Sequence, residues 1–253
     1  MTTAYKPSRE AAFWMPEKPS RAPVEGWSTL LILAVMLAVL GFAVDDARWV
    51  GSTAAGTSRT SFMPLVLLLS GGWGLLGAKL RLRPILVHLV GAVAGALIVI
   101  VFVANAVSVA PELAARIKDL LTSMSTFVTD IGIRHIRSSQ VAPFLLGTGL
   151  VAWATGQFAA FAVFRRNRPM DAILVTGLAM LVNLSLTFQP EFTHLVVFAA
   201  AALLLLIRSN LLKQHAGWLR RRTSEAGDVS DLFMRSGMIF VAVALSGALA
   251  LTT

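Results

Sequence analysis

Five amide or imidazole side chains lie inside otherwise apolar runs: His88, Asn105, Gln157, Asn183 and His194. Hydrocarbon penalises each of them, so each marks either a polar contact between helices or the lining of a path. None is an acid or a fixed cation. The buried carboxylate that proton- or cation-coupled transport normally uses is therefore missing from these runs. His88 lies one turn into its run, and His194 and Asn105 lie near the ends of theirs, so all three can reach water. Gln157 and Asn183 lie deeper, and we read both as hydrogen-bonding partners between helices. His135 and Asp130 fall close together on a polar stretch, but no nucleophile stands beside them. The chain has no His/Glu metal spacing, no phosphate-binding glycine loop and no G-x-S-x-G elbow. No catalytic, cofactor-binding or metal-binding residue is expected, and no cofactor.

A second set of residues carries a different chemistry. Arg81, Arg83, Arg165, Arg166 and Arg168 stand at the ends of apolar runs, and Trp218, Arg220, Arg221 and Arg222 follow another. Guanidinium groups on long stems and an indole ring suit the headgroup level of a bilayer. The lipid bilayer with its anionic headgroups is the partner these residues imply. The net charge of +9 and the sequence pI near 11.2 then reflect loop arginines and lysines, not a nucleic-acid surface, and no nucleic acid is expected as a partner.

Composition agrees. The 253 residues are 56% hydrophobic and 14% charged, against about 25% charged in an ordinary soluble domain. Mean hydropathy is +0.74. Such a chain needs lipid as its solvent. It has no cysteine, which excludes disulfides, thiolate metal sites and thiol nucleophiles within it. The first 26 residues are polar and carry Pro7, Pro16, Pro19 and Pro23, so they read as a disordered cytoplasmic tail with no cleavable signal peptide.

The elements that hold these residues follow from the apolar runs. Membrane spans are expected at 27–44, 62–78, 85–107, 141–164, 172–188, 192–207 and 238–253, which makes an all-α polytopic bundle over 27–253. Pro64 and Pro84 sit in first turns. Gly71, Gly72, Gly74 and Gly77 loosen the second span, and Gly71-Gly72 is the one candidate helix break. Gly91 and Gly95 form a small-xxx-small pair, read as packing within this chain. Residues 110–136 differ. Leu113, Ile117, Leu120, Leu121, Met124, Phe127, Val128 and Ile131 recur at helical spacing, opposite Arg116, Lys118, Asp119, Ser123 and Asp130. This predicts an amphipathic helix on the outer surface, with Glu112 and Arg116 as a weak pair four residues apart. Residues 208–237 read as an interfacial cytoplasmic segment, and 189–191 as a tight turn.

Loop charge orients the bundle. The loops of one set, with the N-terminal tail, hold 16 Lys and Arg, and the loops of the other set hold six. The positive-inside rule puts the first set in the cytoplasm, with the N-terminus in and the C-terminus out, in a bacterial plasma membrane. The seventh run has only about 16 residues, or about 24 Å of helix against a core of about 30 Å, and reads as the place where a longer chain would continue.

Two stretches carry a family resemblance: QVAPFLLGTGLVAWATGQFAAFAVFRRNRPMDAILVTGL at 140–178 and LLLLIRSNLLKQHAGWLRRRTSEAGDVSDLFMRSG at 203–237. With the preceding helices they resemble the membrane-embedded N-terminal region of bacterial transglutaminase-like membrane proteins. The resemblance implies a helix bundle followed by an extracytoplasmic transglutaminase-like domain with a Cys-His-Asp triad. With no cysteine, none of that triad maps onto this chain. The expected function is a non-catalytic membrane anchor or scaffold at the cell envelope, partnered with such a domain in cis or in trans. A stand-alone permease-like or lipid-handling protein, with Gln157 and Asn183 lining its path, and a subunit of a larger membrane complex are the alternatives.

Overall fold

The structure is a computed structural model that describes residues 26–52, 58–80, 82–187, 192–220, 236–243 and 246–247, with side chains omitted over 213–220. Apolar runs bounded by charge and proline become helices. They are α1 (Trp27–Asp46), α2 (Met63–Lys79), α3 (Pro84–Val107), α4 (Leu113–Gly132), α5 (Ala142–Phe164), α6 (Pro169–Leu186) and α7 (Phe192–Arg220). Residues 236–243 are helical as well. Among the described residues the only β pairing is an isolated bridge between Ser52 and Ser58. The all-α class read from the sequence is the class observed. Prolines open α2, α3, α5 and α6, where a missing N–H costs nothing and φ is already helical.

Among the described residues five helices are long and apolar enough to cross a membrane: α1, α3, α5, α6 and the Phe192–Leu212 part of α7. The 17 residues of α2 are apolar but shorter. Side chains sort as a lipid solvent requires. Along α3, Ile85, Leu89, Val93 and Leu97 are exposed at four-residue steps, while Val87, Gly91, Gly95, Val99 and Val103 on the other side are buried.

Contacts fix the two ends of the bundle. Gly26, Lys79, Arg83, Arg165, Arg168 and Arg208 gather at one, which we call the basic end. Arg165 there reaches the α2–α3 connection, and Arg208 lies beside Gly26. At the opposite end Asp46 pairs with His194 at 3.3 Å, and Trp49 donates to Thr187 Oγ1 at 3.3 Å. Successive spans therefore alternate in direction, so α2 and α5 run parallel while α3 and α5 run antiparallel. The α2–α5 pair is the most extensive helix contact. It is close because glycine faces backbone: a Cβ at Gly74 would strike the Gln157 carbonyl, and one at Gly156 would strike Ser70 Oγ and the Leu67 carbonyl. The predicted break at Gly71-Gly72 does not occur. α2 is continuous: Gly71 packs against Leu37 of α1, Gly74 against α5 and Gly77 against Val87 of α3, while Gly72 faces open space.

α4 lies across the end of α3 and α5, but not in the predicted sense. Leu120 is buried against Val103, Ala142 and Leu145, with Ile117 and Met124 partly covered. Ser123 and Asp130, expected on the open polar face, are also buried. Asp130 accepts from Ser138 Oγ at 2.9 Å and from Arg134 at 3.3 Å, and Ser123 Oγ donates to Gln140 Oε1 at 2.6 Å. The α4–α5 linker thus folds back on the polar side of α4 and covers it. Leu113, Leu121, Val128 and Ile131 stay exposed. Among the described residues no ion pair joins Glu112 and Arg116. Arg116 instead donates to Asn105 Oδ1 at 2.7 Å and to the Ala110 and Pro111 carbonyls, which pins the α3–α4 turn.

α7 also departs from the expected pattern. The sequence reading ends a span at 207 and starts a separate interfacial segment. The backbone runs unbroken for 29 residues from Phe192 to Arg220. No proline occurs between Arg208 and Arg220, and its Leu, Lys, Gln, Ala and Arg residues favour helix, enough to carry the helix past Gly217. At about 1.5 Å per residue its last turns project past a core of about 30 Å. The N-terminal tail up to 25, the 189–191 turn, residues 221–235 and half of the 238–253 run lie outside the described residues.

Candidate functional site

One stripe of α5 collects most of the polar chemistry of the bundle. Trp153, Gln157, Phe161 and Arg165 recur every four residues, so they stack along one helix face. α3 presents Gly95, Gly91 and Val87 to it at the same interval in the opposite direction. A Cβ at Gly95 would strike the Trp153 ring, one at Gly91 the Gln157 amide, and one at Gly149 the side chain of Val99. The antiparallel register is therefore Gly149 to Val99, Trp153 to Gly95 and Gln157 to Gly91.

Hydrogen bonds run up this seam. The indole N–H of Trp153 donates to the Gly91 carbonyl at 2.8 Å and to Gln157 Oε1 at 3.1 Å. Gln157 Nε2 donates to the Val87 carbonyl at 3.4 Å and faces His88 Nδ1 at 3.5 Å. The His88 ring meets Phe161 edge-on, with centroids 4.6 Å apart. The Arg165 and Arg166 guanidinium carbons lie 5.3 and 5.8 Å from the Phe161 ring centroid. Arg165 then donates to the carbonyls of Gly77 at 3.2 Å, Leu80 at 2.9 Å and Leu82 at 2.6 Å. These are carbonyls that the end of α2 leaves unsatisfied, so Arg165 caps α2 and ties the α2–α3 connection to α5.

The predicted headgroup residues therefore divide. Arg83 and Arg166 are exposed at the basic end, and Arg168 is exposed and lies 3.8 Å from Asp171. Arg165 turns its donors onto protein carbonyls. Arg220 and Trp218 are placed by the backbone of α7, and Arg81, Arg221 and Arg222 lie outside the described residues. Of the two predicted interhelical residues, Gln157 is buried in the seam. Asn183 is fully buried on α6, and its backbone carbonyl accepts from Thr187 Oγ1 at 2.8 Å. The two are not brought together. Trp153 was not singled out in sequence, although the four-residue spacing to Gln157 was there to be read. Among the described residues no group of His, Asp and Glu is arranged to hold a metal ion.

The second feature is an apolar groove of about 740 Å³ near the opposite end. Its walls are α5, from Pro143 to Thr155, and α6, from Val175 to Leu186, with Leu40, Val44, Met63 and Leu67 as its floor. Trp49 stands at its mouth, edge-on to Phe144 at 5.9 Å. Small side chains at Gly147, Ala152 and Ala179 leave the space. Thr148 lines it too, yet its hydroxyl donates back to the Phe144 carbonyl at 2.8 Å and presents a methyl.

No family model matches the chain, and neither does any curated protein or any solved structure.

Proposed function

We propose that this protein is a non-catalytic membrane scaffold that crosses a bacterial plasma membrane seven times and holds an extracytoplasmic transglutaminase-like domain at the cell envelope. The basic end faces the cytoplasm, α4 lies on the outer side, and the C-terminus points outward. The observation that carries the reading is the fate of the deep polar residues. Gln157 is 4% exposed and Asn183 is 0% exposed, and Gln157 is engaged with α3 and α5. A residue that lines a permeation path must face water or substrate, and these two face protein. Three of the four α2 glycines likewise close on protein: Gly71 on α1, Gly74 on α5 and Gly77 on α3. Such a bundle suits holding more than carrying, and α4 offers its exposed apolar stripe at the outer end.

The test is a photo-reactive residue at Leu121 or Val128 in the native membrane, followed by mass spectrometry of the crosslinked partner. A protein domain bearing a Cys-His-Asp triad is the expected product. Crosslinks to lipid alone, from both positions, would refute the scaffold role. Reporter fusions test the topology: a reporter that works only outside should be active at Thr253 and silent after Arg168.

A further inference from the structure

We infer that the groove between α5 and α6 is a binding site for one acyl chain of a membrane phospholipid, entered sideways from the leaflet at the non-basic end. Four observations on the groove agree. Its walls are continuous with the lipid-facing surface: Val151 and Leu178 are 63% and 64% exposed on its edges, so hydrocarbon reaches it without crossing protein. Its volume of about 740 Å³ falls in the usual range for small-molecule pockets, roughly 300 to 1,000 Å³. Its length follows from α5: from Phe144 to Thr155 the helix rises about 17 Å, close to half of a core of about 30 Å. One leaflet is the depth of one acyl chain. Its lining is mostly apolar, and of its two threonines Thr148 bonds back to its own helix.

The mouth adds orientation. The Trp49 indole and Thr187 hydroxyl meet there, and the Asp46–His194 pair lies at the same end. Indole at the boundary of hydrocarbon and headgroups, with polar groups beside it, fits a chain that enters tail-down with its ester region at the rim. The site is independent of the scaffold reading, because an acyl chain can occupy it whether or not an extracytoplasmic domain docks.

Gly147 supplies a clean test. It lines the groove, and a Cβ built there meets nothing within 4 Å. Gly147→Phe should therefore fill the groove without disturbing helix contacts. Gly72→Phe is the control, since a Cβ at Gly72 also meets open space but does not line the groove. The full chain is extracted from membranes and washed in mild detergent, and bound phospholipid is counted by native mass spectrometry. The wild type and Gly72→Phe should each retain one phospholipid, and Gly147→Phe should lose it at an unchanged melting temperature. Equal retention by Gly147→Phe overturns the proposal, as does a wild type with no bound lipid. A chain-end spin-labelled phosphatidylcholine in vesicles with the wild type gives a second reading that needs no variant. An immobilised component that unlabelled phosphatidylcholine competes away is expected, and its absence also overturns the site.

Discussion

The indole of Trp153 and the carbonyl of Gly91 lie 62 residues apart in sequence and 2.8 Å apart in space. The bond exists because Gly91 and Gly95 have no side chains. Their bare backbone lets the α5 ring and amide lie against α3, and the approach exposes a carbonyl for the indole to use. Packing and hydrogen bonding at this seam are one arrangement.

Gly95→Val should therefore destabilise the bundle by about 1–3 kcal/mol, the usual cost of overpacking a filled site. Trp153 has no room to retreat, being 3% exposed. Thermal unfolding of the chain in detergent should show the loss, while Gly72→Ala, which adds a methyl to open space, should leave the midpoint unchanged or raised.

Trp153→Phe removes the donor and also shrinks a packed ring. Single polar contacts between membrane helices are worth about 0.6 kcal/mol on average and about 1.7 at most. A larger loss is expected, because the missing part of the indole leaves a cavity at a residue that is 3% exposed. Combined with Gln157→Leu, the effects should fall short of additive, since both residues share one network. Strict additivity in a double-mutant cycle would show the two to be independent.

Arg165→Lys tests the clamp on the α2–α3 connection. One ammonium cannot satisfy three carbonyls arranged around a planar fork, so the variant should lose about 1–2 kcal/mol. Amide exchange over residues 82–87 should speed up. Arg166→Lys, whose side chain is exposed, should leave exchange there unaltered.

Asp130→Ala removes the acceptor that holds Ser138 and Arg134. Freed from Asp130, the linker between α4 and α5 should become open to protease near residues 134–140, where the wild type resists. Leu121→Ser, on the exposed stripe, should leave that protection unchanged.

Much of this was legible in the chain itself. The apolar runs, their prolines and their basic ends locate α1, α2, α3, α5 and α6 closely, because length and hydropathy alone decide which segments lipid can dissolve. Gln157 and the Gly91–Gly95 pair were readable as packing features for the same reason: hydrocarbon permits few other uses of an amide or a bare backbone. The α4 reading went astray at Ser123 and Asp130, which are buried although they fall on its polar face. Periodicity shows that a helix has two faces, but not that a neighbouring linker carrying Ser138 and Gln140 will cover the polar one. The α7 boundary was misplaced because a polar stretch with good helix propensity looks like a stop in hydropathy and like nothing at all to the backbone.

The amino-acid sequence by itself determined the class of solvent, the helical class and a charge asymmetry between the two ends, because those depend on composition and on local order along the chain. The tertiary structure alone decided the partners: that Trp153 reaches Gly91, that Arg165 caps a helix instead of a headgroup, and that α5 and α6 part around a groove at Gly147. These are pairings between residues tens of positions apart. Their register is set by where glycines let backbones touch, and nothing local in the chain records it.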